Sequence, residues 1–412
     1  MWEISILLSN YIQKFISRSI TIGGGSKIPV IRAKHDGFKA KLVLEDGSVF
    51  KGIGFGFPSK IVGEVVFNTG MVGYTETLTD PSYKGQILCL TYPLVGNYGV
   101  PSYNLKDDLG MPKYFEAENI QPKGLAIHEL SPVASHWAAE RTLDQWLYDE
   151  KIPGIHGIDT RELTKHIRVK GVMMGAMEVS KEEVSEEELF KALKESERYD
   201  DINFVKEVST KSAQTYGSGD ECIVLIDTGT KYSIIRNIMR TGYRVIRLPF
   251  TASMQEVLSY KPKGVVLSNG PGDPKHCNEA IKLSHDLLDR DIPTLGICLG
   301  NQILALASGA DTYKLKYGHR GQNKPCVDLR NGNAYVTSQN HGYCINPDSL
   351  KETGFKIWFK NADDNTVEGI MHEKKPVIAV QFHPEASPGP YDCMFVFEML
   401  DKMIRGEKIA KT

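Results

Sequence analysis

Seven cysteines are present, Cys89, Cys222, Cys277, Cys298, Cys326, Cys344 and Cys393, yet no two are spaced C-x-x-C. The usual zinc and thioredoxin-like spacings are therefore excluded, and no metal is expected. An odd number of cysteines in a long chain favours free thiols and a reducing compartment, so the expected location is cytoplasmic. The apolar run Ile4 to Leu8 is far shorter than the roughly 20 residues of a membrane span, and no secretory cleavage site follows it. Neither sign of charge dominates, with 49 Lys plus Arg against 51 Asp plus Glu and a net charge of -2. That balance argues against a chain built to coat nucleic acid or an anionic membrane. A phosphate loop ending in G-K-[ST] is missing too. So is a G-x-G-x-x-G after the first strand of the second half, where Asp227-Thr228-Gly229-Thr230-Lys231 stands.

What is there is an ordinary globular composition, 41% hydrophobic and 24% charged over 412 residues. The length suits about two or three domains. Residues 1–38 read as an extension ending in the flexible Gly23-Gly24-Gly25-Ser26 run; a transit peptide and a misassigned start are the alternatives. Residues 39–208 form a mixed α/β domain. Leu42 to Leu44 and Ser48 to Phe50 flank Glu45-Asp46-Gly47 as a hairpin, and Val62 to Phe67 and Gln86 to Thr91 read as strands. Helices are expected over Trp137 to Asp149, Thr160 to Lys170 and the charged stretch Lys181 to Glu197. Residues 209–220 are poor in apolar side chains and serve as a linker.

Over 221–412 the rhythm changes. Strand-like runs at Cys222 to Ile226, Arg244 to Leu248, Gly264 to Leu267 and Thr294 to Cys298 alternate with helical stretches at Ser233 to Arg240, Met254 to Ser259, Glu279 to Leu288 and Gln302 to Ala307. Such alternation predicts an open, mostly parallel, doubly wound sheet. The text turns strand-rich again after Val336.

One cysteine differs from the rest. In Gly296-Ile297-Cys298-Leu299-Gly300, glycines lie two before and two after Cys298, at a strand-to-helix junction. This is the pattern of a nucleophile elbow with Cys in place of Ser. The sharp turn leaves no room for side chains at 296 and 300. The N–H groups at a helix N-terminus stabilise a thiolate, and the Leu299 amide would face an oxyanion. Without its flanking glycines, a cysteine at a strand end would read as a buried structural residue. An apolar strand also ends at Phe382-His383-Pro384-Glu385, and residues two apart share a face in extended chain. Glu385 can therefore orient His383, and His383 can serve Cys298 as base and acid. The loop Ser268-Asn269-Gly270-Pro271-Gly272-Asp273-Pro274 follows a strand, where open parallel sheets bind ligands.

These segments, with Gln339-Asn340-His341-Gly342-Tyr343, resemble the class I, triad-type glutamine amidotransferases. The Q-N-H-G segment narrows the resemblance to the small, glutaminase subunits of carbamoyl-phosphate synthase. Gly63 to Met71, Leu78-Thr79-Asp80-Pro81-Ser82-Tyr83 and Gly157 to Arg161 are similar to the first domain of those subunits. The resemblance runs from about residue 40 to the C-terminus. It implies a catalytic triad of Cys298, His383 and Glu385. It also implies glutamine contacts from Ser82, Gly270, Gly272, Leu299, Gln302, Asn340, Gly342 and Tyr343. Two positions depart from the family pattern: Asn301 stands where His is common and Tyr343 where Phe is common.

The implied activity is hydrolysis of L-glutamine through a Cys298 thioester, with ammonia passed to a large subunit for carbamoyl phosphate synthesis in pyrimidine and arginine biosynthesis. No cofactor is implied in this chain; ATP and Mg would belong to the large subunit, in a heterodimer or higher oligomer. The alternatives are the glutaminase subunit of another amidotransferase, such as anthranilate synthase, which lacks the first domain, and a non-catalytic partner subunit.

Overall fold

The structure, a computed structural model, describes Ile31, Arg32 and residues 37–407. The extension reading of residues 1–38 falls almost wholly outside the described residues. The hairpin expected around Glu45-Asp46-Gly47 is the seed of the first domain. Gly47 takes a φ of 93°, which a side chain would resist, and Leu44 N–H donates to Ser48 O at 2.9 Å. The hairpin joins β1 (Phe38–Leu44) to β2 (Val49–Gly56). Then follow β3 (Lys60–Asn68), β4 (Gln86–Leu90), β5 (Gly124–Ala126), β6 (Pro153–His156) and β7 (Met173–Ser180). They close into a seven-stranded barrel in the order β6-β2-β1-β7-β3-β4-β5. Strand alternation decides its two faces. Val65, Phe67, Ile87 and Cys89 pack in one cluster, whereas Val66 and Leu88 pack in another with Trp146 and Leu147.

The domain is therefore a barrel with helices set against it. The helix expected over Trp137 to Asp149 is shorter, α1 (Leu143–Asp149), because the Thr142 side chain caps it at the Gln145 amide. Ala139–Arg141 before it pairs as a strand with Val100–Pro101. The other two helices form as α2 (Thr160–Lys170), N-capped by Asp159, and α3 (Glu186–Glu195), N-capped by Ser185.

The second half is built on one ten-stranded sheet. Its strands are β8 (Gln214–Tyr216), β9 (Cys222–Asp227), β10 (Arg244–Pro249), β11 (Gly264–Leu267), β12 (Thr294–Ile297), β13 (Thr312–Asp328), β14 (Ala334–Ile345), β15 (Phe355–Asn361), β16 (Val367–His372) and β17 (Val377–Val380). The order is β8-β10-β9-β11-β12-β17-β16-β15-β13-β14. The run β10-β9-β11-β12-β17 is parallel. The remaining pairs are antiparallel, so the sheet is mixed rather than mostly parallel. The reason is local: from Thr312 onward the connections between neighbouring strands, β13 to β14, β15 to β16 and β16 to β17, are short turns, which make antiparallel pairs. The strand-rich text thus begins at Thr312, ahead of Val336. Within 209–220, Gln214–Tyr216 pairs antiparallel with β10. Both faces of the parallel strands are buried, with Val224 and Ile226 on one side and Ile223 and Leu225 on the other. That explains why these strands read as continuous apolar runs.

Candidate active site

The elbow forms where β12 ends and α4 (Leu299–Ala307) begins. Cys298 sits between them with φ 53° and ψ −101°, a strained conformation for a residue with a side chain. Neighbouring backbone enforces it. A Cβ on Gly300 would lie 2.2 Å from Leu267 O, and one on Gly296 would lie 2.7 Å from Gly300 O. Cys298 N–H donates to Val380 O of β17 at 2.8 Å, which ties the nucleophile's backbone to the strand that leads to His383. The Leu299 amide has no protein acceptor among the described residues, as an oxyanion donor requires. The Gly272 amide lies within reach of the Tyr199 hydroxyl.

His383 and Glu385 are both buried. Glu385 Oε1 accepts from His383 Nδ1 at 2.6 Å, which leaves Nε2 as the ring atom free of a hydrogen bond. The Cys298 thiol lies close enough to act on this imidazole. Burial opposes the charged form of His383, but the Glu385 carboxylate outweighs it and the Cys298 sulfur adds to the effect. The net result raises the proton affinity of the imidazole. Burial would push Glu385 up, yet Lys231 and His383 hold it well below the usual carboxylate range.

All eight residues carried over as glutamine contacts line one cleft with Cys298: Ser82, Gly270, Gly272, Leu299, Gln302, Asn340, Gly342 and Tyr343. Its empty volume is about 390 Å³. Ser82 comes from the first domain, so the cleft lies where the halves meet. Asn269 Nδ2 donates to Ser82 Oγ at 3.0 Å, and Asn340 Nδ2 donates to Asp80 Oδ2 at 2.9 Å. Tyr343 uses the hydroxyl that a Phe would lack to donate to Asp200 at 2.7 Å. Asn301 donates to Gln381 Oε1 at 3.1 Å, and the Gln381 amide nitrogen lies 3.7 Å from Cys298 Sγ. The non-His residue at 301 thus reaches the nucleophile through one intermediary.

Sequence reasoning missed Lys231, whose Nζ donates to Glu385 Oε1 at 2.9 Å and to Ala386 O at 3.1 Å. Its signal was position: it ends the loop after β9, at the carboxyl edge of the sheet. Gln381 was missed as well, although it lies two residues before His383 on the same strand end. Glu64, Gln86, Tyr199, Lys314, Arg320 and His341 also line the cleft. Among the described residues, His319, His341 and Glu368 form a buried group that could hold a metal. In this structure His319 instead bonds Asp364 at 2.8 Å and Glu368 at 3.2 Å.

Comparison with known proteins agrees with this arrangement. Residues 224–403 match the family described as Glutamine amidotransferase class-I. Residues 42–177 match Carbamoyl-phosphate synthase small chain, CPSase domain. A carbamoyl phosphate synthase small chain of Pyrococcus furiosus is 48% identical over 90% of this chain and 99% of its own length. Those of Sulfolobus acidocaldarius and Methanopyrus kandleri are each 44% identical, over 88% and 89% of this chain and 96% and 99% of their own lengths. With both domains matched in order and relatives aligned nearly end to end, the chain belongs to the carbamoyl phosphate synthase small-chain family.

Proposed function

We propose that this chain is the glutaminase subunit of a glutamine-hydrolysing carbamoyl-phosphate synthase. The observation that carries this reading is the cleft at the domain junction lined by a strained, buried Cys298, with an imidazole charged up by Glu385 within reach of its thiol. The raised proton affinity of His383 suits it to draw the thiol proton and hold an imidazolium beside a thiolate. The thiolate attacks the side-chain amide carbon of glutamine, and a C–S bond forms. The Leu299 amide, with a donor near Gly272, takes the negative charge of the oxygen. His383 returns its proton to the leaving nitrogen as the C–N bond breaks and ammonia departs. Water then attacks the glutamyl thioester with His383 as base. The C–S bond breaks, and glutamate and the thiol are restored.

Side chains and backbone amides of this chain carry these steps. Ammonia passes to the large subunit, where ATP, Mg and bicarbonate are used. The match of residues 42–177 to the small-chain domain favours this over the glutaminase subunit of another amidotransferase.

The decisive variant is Cys298→Ala. In the complex with the large subunit it abolishes glutamine-dependent synthesis and leaves ammonia-dependent synthesis intact. Glutamine hydrolysis surviving in this variant would overturn the mechanism.

A further inference from the structure

The cleft holds more charge than the triad uses, and the surplus is unevenly satisfied. Lys314 is neutralised twice, by Glu64 at 2.6 Å and Asp200 at 2.5 Å. The other oxygen of Glu64 accepts from Gln86 at 2.9 Å. Arg320 lines the same cleft, is only 4% exposed, and has no carboxylate within 4 Å among the described residues. Its Nη1 donates to Tyr317 O at 2.8 Å, and its buried Nε has no partner. No acceptor engages its Nη2 among the described residues.

A buried guanidinium cannot shed its proton, so leaving it unpaired is costly unless an anion completes the site. The surroundings keep it open to the cleft. Arg320 lies opposite Asn340 on neighbouring strands, two residues from Gly342. A Cβ at 342 would come within 3.2 Å of Nη2.

We infer that Arg320 receives the α-carboxylate of the amino-acid substrate and sets the enzyme's selectivity for a free amino acid. The inference rests on the glutaminase reading. With the side-chain amide at Cys298, the substrate's head group must lie elsewhere in the same cleft. A planar two-pronged donor is the side chain that best recognises a carboxylate. Lys314 cannot take this part, because both its carboxylate partners already hold it. A purely structural role, bracing the bulged stretch of its own strand through Tyr317 O, is the competing account.

The test uses the full chain assembled with its large subunit. Hydrolysis of L-glutamine is compared with that of 4-aminobutanamide, which is glutamine without its α-carboxylate. Where the analogue turns over too slowly, its inhibition constant against glutamine replaces kcat/KM. Arg320→Gln is expected to raise the KM for glutamine roughly 10- to 100-fold with little change in kcat. The selectivity for glutamine over the analogue falls by the same factor. Arg320→Lys keeps the charge but loses the fork; it gives an intermediate loss and provides the reading if Arg320→Gln does not fold. An unchanged KM, or equal losses on both substrates, overturns the inference and leaves the glutaminase reading standing. Failure of the unmodified complex to hydrolyse glutamine would remove both.

Discussion

The side chains that make this site reactive are few, and each works by altering a neighbour. Glu385 raises the proton affinity of His383, and Lys231 opposes it through the same carboxylate. Lys231 therefore acts as a trim on the base. Removing its positive charge should raise the proton affinity of His383 further, because a cation nearby disfavours the imidazolium. Lys231→Met is predicted to move the His383-linked limb of the pH–kcat/KM profile to higher pH and to lower the maximal rate. A limb that stays in place or moves to lower pH would show that Lys231 is only a packing partner. Four of the other thiols are poor competitors for this chemistry, since burial pushes Cys89, Cys277, Cys344 and Cys393 up to about 12. At this scale the sequence was legible where the signal is local. The glycines flanking Cys298, and Glu385 two residues after His383, state their purpose in one short stretch each. Lys231 and Arg320 were not legible, because their meaning depends on strands far away in the chain that bring a carboxylate to one and none to the other.

Among the elements, the parallel strands of the second half could be read because each is buried on both faces and so shows as a continuous apolar run. Barrel closure was not readable. It depends on pairing between the short strands β5 and β6, too short to show any periodicity. The antiparallel extension carries its own ion network behind the Asn340–Tyr343 segment. There His319 of β13 meets Asp364 and Glu368, with His341 beside it and Asn361 bonded to Glu368 at 3.0 Å. Burial opposes the charge on His319, but the two carboxylates outweigh it and push the imidazole up to about 9, from an ordinary 6.5. Burial keeps the adjacent His341 low, so it stays neutral. A folded pKa above the unfolded one means the stabilisation is fully present below about 6.5 and is lost as pH rises through about 9. The unfolding midpoint is therefore expected to fall across that interval, and His319→Asn should flatten the fall. An unchanged slope in the variant would assign the effect to other groups.

For the molecule as a whole, the cleft exists only because the first domain supplies one wall and holds it in register. Asp80 is shared between Ser82 N–H at 2.9 Å and Asn340 Nδ2 at 2.9 Å, so one carboxylate aligns residues from both halves. A second tie lies beside the triad. Glu116 of the first domain is fully buried and accepts from Ser233 N–H at 2.9 Å, Ser233 Oγ at 2.6 Å and Arg236 Nη1 at 3.1 Å, and from Ser387 Oγ at 2.5 Å. Ser387 is two residues beyond Glu385, so the same carboxylate that joins the halves also steadies the loop carrying the triad acid. Cutting one partner out of a buried ion pair leaves the other charge uncompensated, which typically costs about 3–5 kcal/mol. Arg236 keeps a second partner in Asp107 at 2.7 Å, so the loss for Glu116→Ala should fall at the lower end, about 3 kcal/mol. Denaturant titration would measure it. Glutamine hydrolysis should fall in parallel under conditions where the variant is still folded, because the 383–387 loop has lost its anchor. Full activity together with a loss under about 1 kcal/mol would mean that this contact is incidental and that the halves are aligned by their other ties, the Asp80 bridge among them.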